Sequence, residues 1–449
     1  MLAKSSSPST RPRLLLSAYH YDRAYSMESR LAWQRAECAS REYDVTVLCA
    51  CPPIDSEPID EGTPADAGLA PIELRCLPLN RLERLLMKIP GCFYIGYRLW
   101  HRRAFQLGRR LHAERPFALV HHVSFCGYRE PSDGWRLGAP FVWGPVGGTQ
   151  GFPRAFLGEL SWPDAARERL RNVVNAAQLR FDWRYRQAAA AAAQVYSANQ
   201  SVAADLERAA GIRSLVQLET GIETAPRPPR PRRDPQSPLR ILWSGRLQPW
   251  KGLPLLLHGL AELPPDVHYK LRILGQGPRE LQWRQLAERL GLAQRIEWAG
   301  WPAYDEQLPH YDWADVFAFT SLHDTSGTGL LEALAAGAPI VGLDHQGAAD
   351  IMTTRCAIPV DAASPRSAIE GFRWAIARLA TDSDLLQELS AGAQRRAVDY
   401  DWERLWETMR TAYARAVRLQ TTSAESHLPS SNATLAAAAS ELQLIETFS

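Results

Sequence analysis

Residues 315–343, DVFAFTSLHDTSGTGLLEALAAGAPIVGL, read as a strand from Asp315 to Thr320, a polar loop, a helix, and a second strand starting near Pro339. This is one β-α-β step of a parallel sheet, and its loop follows the carboxyl end of a strand. Open α/β sheets bind ligands in the crevice outside those ends. The loop residues Asp324, Thr325, Ser326, Gly327, Thr328 and Gly329 are small, so backbone N–H groups come close to the helix start and can hold an anion. Glu332 lies eight residues after Asp324, in the first turns of the helix, a spacing that lets both carboxylates face one ligand. Each has a plainer reading: Asp324 as a turn cap and Glu332 as a complement to the helix dipole.

Upstream, residues 239–252, LRILWSGRLQPWKG, open with a buried-type strand, Leu239 to Trp243, turn at Gly245, and place Arg246 and Lys251 five residues apart before the apolar run LPLLLHGLAEL. The two cations can converge on one diphosphate, arginine as a fork and lysine as a point charge. The alternative is a pair of solvated loop residues.

Together these residues resemble the donor-binding half of a retaining GT-B glycosyltransferase of family 4 (glycosyl transferases group 1). The Glu-x7-Glu motif of that family is similar to Asp324-x7-Glu332 here, with Gly327 at the third position after the acid. The resemblance implies that Asp324 lies against the transferred sugar, Glu332 binds the nucleotide ribose, and Arg246 and Lys251 bind the donor diphosphate. It extends to Gly275 and Gly277 after YKLRIL, to Gly300 after RIEWA, and to Gly347. Aspartate in place of the first glutamate shortens the reach by roughly an ångström, so the sugar contact is direct, water-mediated or altered. Gly275, Gly327 and Thr328 complete the expected donor site.

The first half carries its own strand-like segments: Arg13 to Ala18, Asp44 to Ala50, Ile72 to Leu77, Phe117 to Ser124, Pro140 to Val146, Gln194 to Ser197 and Ser214 to Leu218. Six prolines between Pro226 and Pro238, interleaved with arginines, exclude regular structure and mark a stiff, exposed linker. The expected division is a Rossmann-like acceptor-side domain over 1–222, a linker over 223–238, and a Rossmann-like nucleotide-sugar domain over 239–395. An apolar stripe through Trp402, Leu405, Trp406, Met409, Tyr413 and Val417 predicts a helix over 396–419, which the resemblance implies crosses back to the first domain. The tail, 420–449, reads as an extension. The fold class is thus α/β: two Rossmann-like domains facing each other across a cleft.

Three loops of the first half point to the acceptor side. The loop after LLLSA includes Glu28; PFVWGPVGGTQGFP supplies Gly147 and Gly148, where backbone can approach a sugar or phosphate edge, or simply turn. His121 and His122 in ALVHHVSF must point to opposite faces of a strand. The resemblance places a histidine of this region near the donor sugar, with His122 favoured and His121 competing; either also fits as a packed histidine.

Composition bounds the rest. With 449 residues, 46% hydrophobic and 22% charged, the chain has room for two or three globular domains. A formal net charge of +2 and the lack of finger or RNA-binding signatures argue against nucleic acid. Seven dispersed cysteines suggest a reducing cytosol and no metal site. The amino terminus lacks a signal-type apolar core, and no run is long enough to span a bilayer. Residues 81–110 carry eight Lys/Arg and one acid, Glu83, among leucines and aromatics, a pattern for the anionic inner face of the plasma membrane or for covering the sheet.

The expectation is therefore a metal-independent, cofactor-free enzyme. It would transfer a sugar with retention from a nucleotide diphosphate sugar to a saccharide or lipid-linked saccharide acceptor, in bacterial surface polysaccharide or glycolipid synthesis. A nucleotide-sugar epimerase, a glycosyl phosphorylase, or a noncatalytic nucleotide-sugar-binding protein on the same fold are the alternatives.

Overall fold

The structure, a computed structural model, describes residues 10–23, 27–50, 71–89, 91–123, 125, 127–234 and 236–426. In the first half the elements are β1 (Arg13–Ser17), α1 (Met27–Ala39), β2 (Asp44–Cys49), β3 (Glu73–Cys76), α2 (Arg81–Lys88), α3 (Phe93–Glu114), β4 (Leu119–His122), β5 (Phe141–Val146), α4 (Trp162–Phe181), α5 (Trp183–Ala191), β6 (Ala192–Ser197), α6 (Gln200–Ala210) and β7 (Leu215–Val216). The second half adds β8 (Leu239–Ser244), α7 (Leu253–Ala261), β9 (Tyr269–Leu274), α8 (Glu280–Arg289), β10 (Ile296–Gly300), α9 (Tyr304–Trp313) and β11 (Val316–Phe319). It closes with α10 (Thr328–Ala335), β12 (Ile340–Leu343), α11 (Gln346–Ile351), β13 (Ala357–Val360), α12 (Pro365–Thr381), α13 (Ser383–Ala397) and α14 (Trp402–Ser426).

Each half forms one parallel sheet, ordered β3-β2-β1-β4-β5-β6-β7 and β10-β9-β8-β11-β12-β13. Both orders reverse direction beside the first strand, between β1 and β4 and between β8 and β11. Such a switch point leaves a crevice because the flanking connections leave to opposite sides. The strands are nearly continuous apolar runs, as a sheet covered on both faces requires: β1, β4, β5, β11 and β12 are buried at every residue.

The boundary at 222/223 is less clean than the sequence suggests. Phe152, Phe156 and Leu157, which follow β5, lie in the core of the second sheet with Leu239, Trp243 and Phe372, and Leu218 and Ile222 join its other core. The linker is also fastened, not merely exposed. Arg230 donates to the carbonyls of Tyr311 (2.9 Å), Ala314 and Ala336 (2.8 Å), and Arg233 donates to that of Ala380. These carbonyls end α9, α10 and α12, where helices leave acceptors unsatisfied and favour cations.

The last helix, α14, packs on α1, β4, β5 and β6 of the first half. It buries Trp406, Met409 and Tyr413 beside Leu14, Val45 and Val142.

Candidate active site

The loops after β8 and β11 meet at the second sheet's switch point because side chains zip them together. Trp243 Nε1 donates to Thr320 Oγ1 (2.8 Å), Thr320 Oγ1 donates to the carbonyl of Lys251 (2.6 Å), and Leu322 N donates to that of Trp250 (2.7 Å). These bonds bring Lys251 Nζ to 2.5 Å from Asp324 Oδ2. Asp324 Oδ1 accepts from Gly327 N (3.2 Å), and Asp324 N donates to Gln346 Oε1 (3.0 Å). Asp324 therefore does cap the turn into α10, yet its second oxygen faces the cation. Burial alone raises its pKa; the charge and hydrogen bond of Lys251, with the Gly327 N–H, outweigh this and hold the carboxyl below its ordinary value.

The first half grips the same loop. Asn199 Nδ2 donates to the carbonyl of Thr325 (2.8 Å), Ser326 Oγ donates to Glu219 Oε1 (2.6 Å), and His323 Nε2 lies 3.1 Å from the carbonyl of Gln150. A carbonyl only accepts, so that His323 nitrogen carries the proton, and burial lowers the ring's pKa to about 4. Thr325 is pressed between two glycines. A Cβ on Gly147 would lie 2.8 Å from Thr325 Cγ2, and one on Gly347 would lie 2.0 Å from the Thr325 oxygen. Thr325 excludes a side chain at both, through its own side chain at Gly147 and its backbone at Gly347.

Between the halves opens a cleft of about 440 Å³. Lys251, His323, Asp324, Thr325, Ser326, Thr328 and Trp250 line it from one side; Leu31, Tyr94, Phe125, Gly127, Gly147, Gly148, Glu219 and Thr220 line it from the other. Lys251, Asp324 and Thr328 thus share a surface with Gly147 and Gly148. Gly327, whose φ of +58° suits glycine, starts α10 just behind.

Other expected residues lie elsewhere. Arg246 is exposed on the turn after β8, outside the cleft lining, and has no side-chain partner among the described residues. Glu332 is 5% exposed within α10 and does not reach the cleft lining. Gly275 follows β9 where a Cβ would lie 2.3 Å from the Gly245 oxygen, a packing reason for glycine. Glu28 falls in the first turn of α1, but its side chain lies outside the described residues; Leu31, one turn on, lines the cleft.

His121 and His122 are not part of the cleft lining. His121 and His122 are fully buried on opposite faces of β4. His121 Nε2 donates to the Gly144 carbonyl (2.7 Å), so the neutral ring's Nδ1 accepts from Tyr413 O–H (2.5 Å). His122 packs edge-on to His101, with Nδ1 3.2 Å from the Ser17 carbonyl. Burial lowers both pKa values, that of His122 to about 4. In this structure both rings serve an internal role in β4, a central strand with helices on both faces, and Val123, next along the chain, lines the cleft.

Residues 81–110 divide their apolar groups. Tyr97 and Trp100 are buried against the sheet, whereas Leu82, Leu85, Ile89, Tyr94 and Ile95 are exposed. Of the cations, Arg98 pairs with Glu130 (2.5 Å) and Arg103 with buried Glu83 (2.6 Å). Arg81, Arg84 and Lys88 are exposed. Among the described residues no helix is long and apolar enough to cross a membrane, and no group of three or more His, Cys, Asp or Glu is placed to hold a metal ion.

Residues 229–396 match the family model described as Glycosyl transferases group 1, a segment that holds Lys251, Asp324 and Glu332. WcaL of Escherichia coli (strain K12), assigned as a colanic acid biosynthesis glycosyltransferase, is 32% identical over 139 residues, covering 29% of this chain and 34% of its own length. The chain spans about a third of the length of that relative. Sucrose-phosphate synthase from Thermosynechococcus elongatus superposes with a TM-score of 0.62 at 16% identity, covering 90% of this chain and 99% of that one. Anabaena HepE, solved in complex with UDP and glucose, superposes with a TM-score of 0.56 at 15% identity, covering 90% and 100%. The two-domain architecture is that of GT-B glycosyltransferases.

Proposed function

We propose that this chain is a retaining, metal-independent glycosyltransferase of family 4. It would move a sugar from a nucleotide diphosphate sugar to a hydroxyl of a saccharide or lipid-linked saccharide, in assembly of a bacterial surface polysaccharide or glycolipid. The observation that carries this reading is the Lys251–Asp324 pair at the switch point, opening on a cleft whose far wall is Gly147 and Gly148. WcaL's assigned pathway supports the surface-polysaccharide context, and the ligands of HepE support a uridine diphosphate sugar as first donor to try.

In the proposed reaction the bond between the sugar's anomeric carbon and the diphosphate breaks, negative charge grows on the leaving oxygens, and the acceptor hydroxyl oxygen bonds to the same carbon from the same face while its proton passes to the departing diphosphate. Lys251, Arg246 and N–H groups around Gly327, such as that of Thr328, would stabilise that charge, more in the transition state than in the bound donor. Arg246 must swing in from its exposed position. Asp324 would position the transferred sugar, Glu332 the ribose, and Gly275 the donor's edge. Glu28, Gly147 and Gly148 would meet the acceptor. His121 and His122 would act through the position of β4, without touching substrate.

We further propose that the protein works peripherally at the inner face of the plasma membrane. Exposed Leu82, Leu85 and Ile89 beside Arg81, Arg84 and Lys88 support contact of α2 with an anionic lipid surface.

The test is to screen UDP-, GDP-, dTDP- and ADP-sugars for binding and turnover with EDTA present. Binding of one nucleotide class with acceptor-dependent turnover is expected. An absolute divalent-metal requirement, dependence on free phosphate, or acceptor-free conversion of the donor to its epimer would overturn the reading.

A further inference from the structure

Helix α4 turns an apolar face to solvent. Trp162 is 80% exposed, Leu170 64%, Val173 66%, Phe181 74%, and Trp183, just past the helix end, 57%. Leu170, Val173, Val174 and Phe181 follow three- and four-residue spacing, so they form one stripe along a helix about 30 Å long. Singly exposed apolar residues need no explanation, but a contiguous stripe does. The helix cannot roll to hide it. Its opposite side is tied down by Asn175, which accepts from Tyr128 O–H (2.7 Å) and donates to the Thr149 carbonyl (2.5 Å), and by Asn172, which donates to the Phe152 carbonyl (2.8 Å).

Charge indicates what covers the stripe. The two acids of α4 are already engaged: Asp164 pairs with Arg279, and buried Glu168 lies 3.0 Å from Arg171. Arg167, Arg169 and Arg180 are exposed along the flanks and have no ion-pair partner among the described residues. An apolar stripe with tryptophans at its ends and unpaired arginines at its sides matches an anionic lipid interface, where the rings sit at headgroup level and the guanidinium groups meet phosphate.

The start of α5, which continues from α4, is tied to α3 through one buried acid. Glu130, 3% exposed at its side chain, takes Arg98 of α3 at 2.5 Å and Arg184 of α5 at 3.1 Å. Tyr94 and Ile95 stand one turn before Arg98, and Trp183 precedes Arg184. Tyr94 in turn lines the cleft.

We propose that α4, with the start of α5, is a second membrane-contact element, which seats the cleft mouth on an anionic lipid surface from the acceptor side. The proposal rests on the peripheral-membrane part of the function above and extends it from α2 to a separate helix. Its test reads lipid binding, not turnover, so either can fail alone.

The full chain is floated with phosphatidylcholine vesicles with and without phosphatidylglycerol. Three variants are compared with the unaltered chain: Leu170→Ser with Phe181→Ser, Arg167→Glu with Arg169→Glu, and a control, Leu281→Ser with Trp374→Ser, which removes exposed apolar groups of the second half. The first two should each lower the fraction bound to anionic vesicles about tenfold, and the control should leave it unchanged. Slower hydrogen exchange of residues 162–183 on adding anionic vesicles to the unaltered chain is the second expected result, and it does not depend on a variant folding. Undiminished binding of both α4 variants, or unchanged exchange, would overturn the proposal. So would a dimer in solution that Leu170→Ser with Phe181→Ser converts to monomer, since the stripe would then belong to a second copy.

Discussion

Lys251 Nζ stands 2.5 Å from Asp324 Oδ2, joining the two loops that border the second sheet's switch point. The pair neutralises a carboxylate in the cleft and fixes the cation where a diphosphate would leave. Replacing Lys251 with alanine should lower kcat about a hundredfold or more. The fold should lose only about 1–3 kcal/mol, because Asp324 keeps its Gly327 N–H. Steady-state kinetics alongside urea unfolding separates the two effects; unchanged turnover would remove Lys251 from the chemistry.

Asp324 and Glu332 should split kinetically. Asp324→Asn, which can keep the cap to Gly327, should depress kcat with little change in donor binding, whereas Glu332→Gln should chiefly raise KM for donor. The reverse pattern would exchange their roles. Because the carboxyl of Asp324 is held below its ordinary value of 3.8, its stabilising charge is fully present above that value and is lost only as pH falls through the lower folded value. Asp324→Asn should flatten this acid limb in a stability-versus-pH series.

The buried histidines lose stability in the same direction, but over a higher pH window. Their folded pKa values are lowered, so the unfolded chain binds protons first and stability falls as pH drops below the ordinary 6.5, for His122 down to about 4. His121→Leu should strand Tyr413 O–H and the Gly144 carbonyl and cost about 2–4 kcal/mol in urea unfolding. Full stability in this variant would contradict the internal role.

Much of this site was readable because its signals are local. Strand-loop-helix patterns on either side of Lys251 and Asp324 sit in single stretches of chain, and parallel topology brings their loops together. Tyr94, Phe125, Glu219 and Thr220 enter the cleft only through packing of one half on the other, and no local pattern marks them. Glu219 is the clearest omission: its link to Ser326 spans 107 residues, with the acid of ETGIE as the one visible hint. Strand alternation alone puts His121 and His122 on opposite faces, but the cover over His121 comes from Tyr413, 292 residues away. The same distance effect hid the seating of Phe152 and Phe156 in the second core.

That contact between halves is itself testable. Ser326→Ala removes the hydroxyl that meets Glu219 while leaving the backbone of the loop in place. Turnover should fall several-fold, and Glu219→Gln, whose amide oxygen still accepts, should retain more activity than Glu219→Ala. Equal activity in all three variants would show that the link does not position the loop.

The most direct test of the central claim is the anomeric configuration of the product, read by proton NMR after turnover of a donor of defined configuration with EDTA present. Retention of the donor's configuration, at a rate that Lys251→Ala lowers about a hundredfold or more, is the predicted result. Inversion, or retention unaffected by Lys251→Ala, would contradict a retaining transfer carried by the Lys251–Asp324 site.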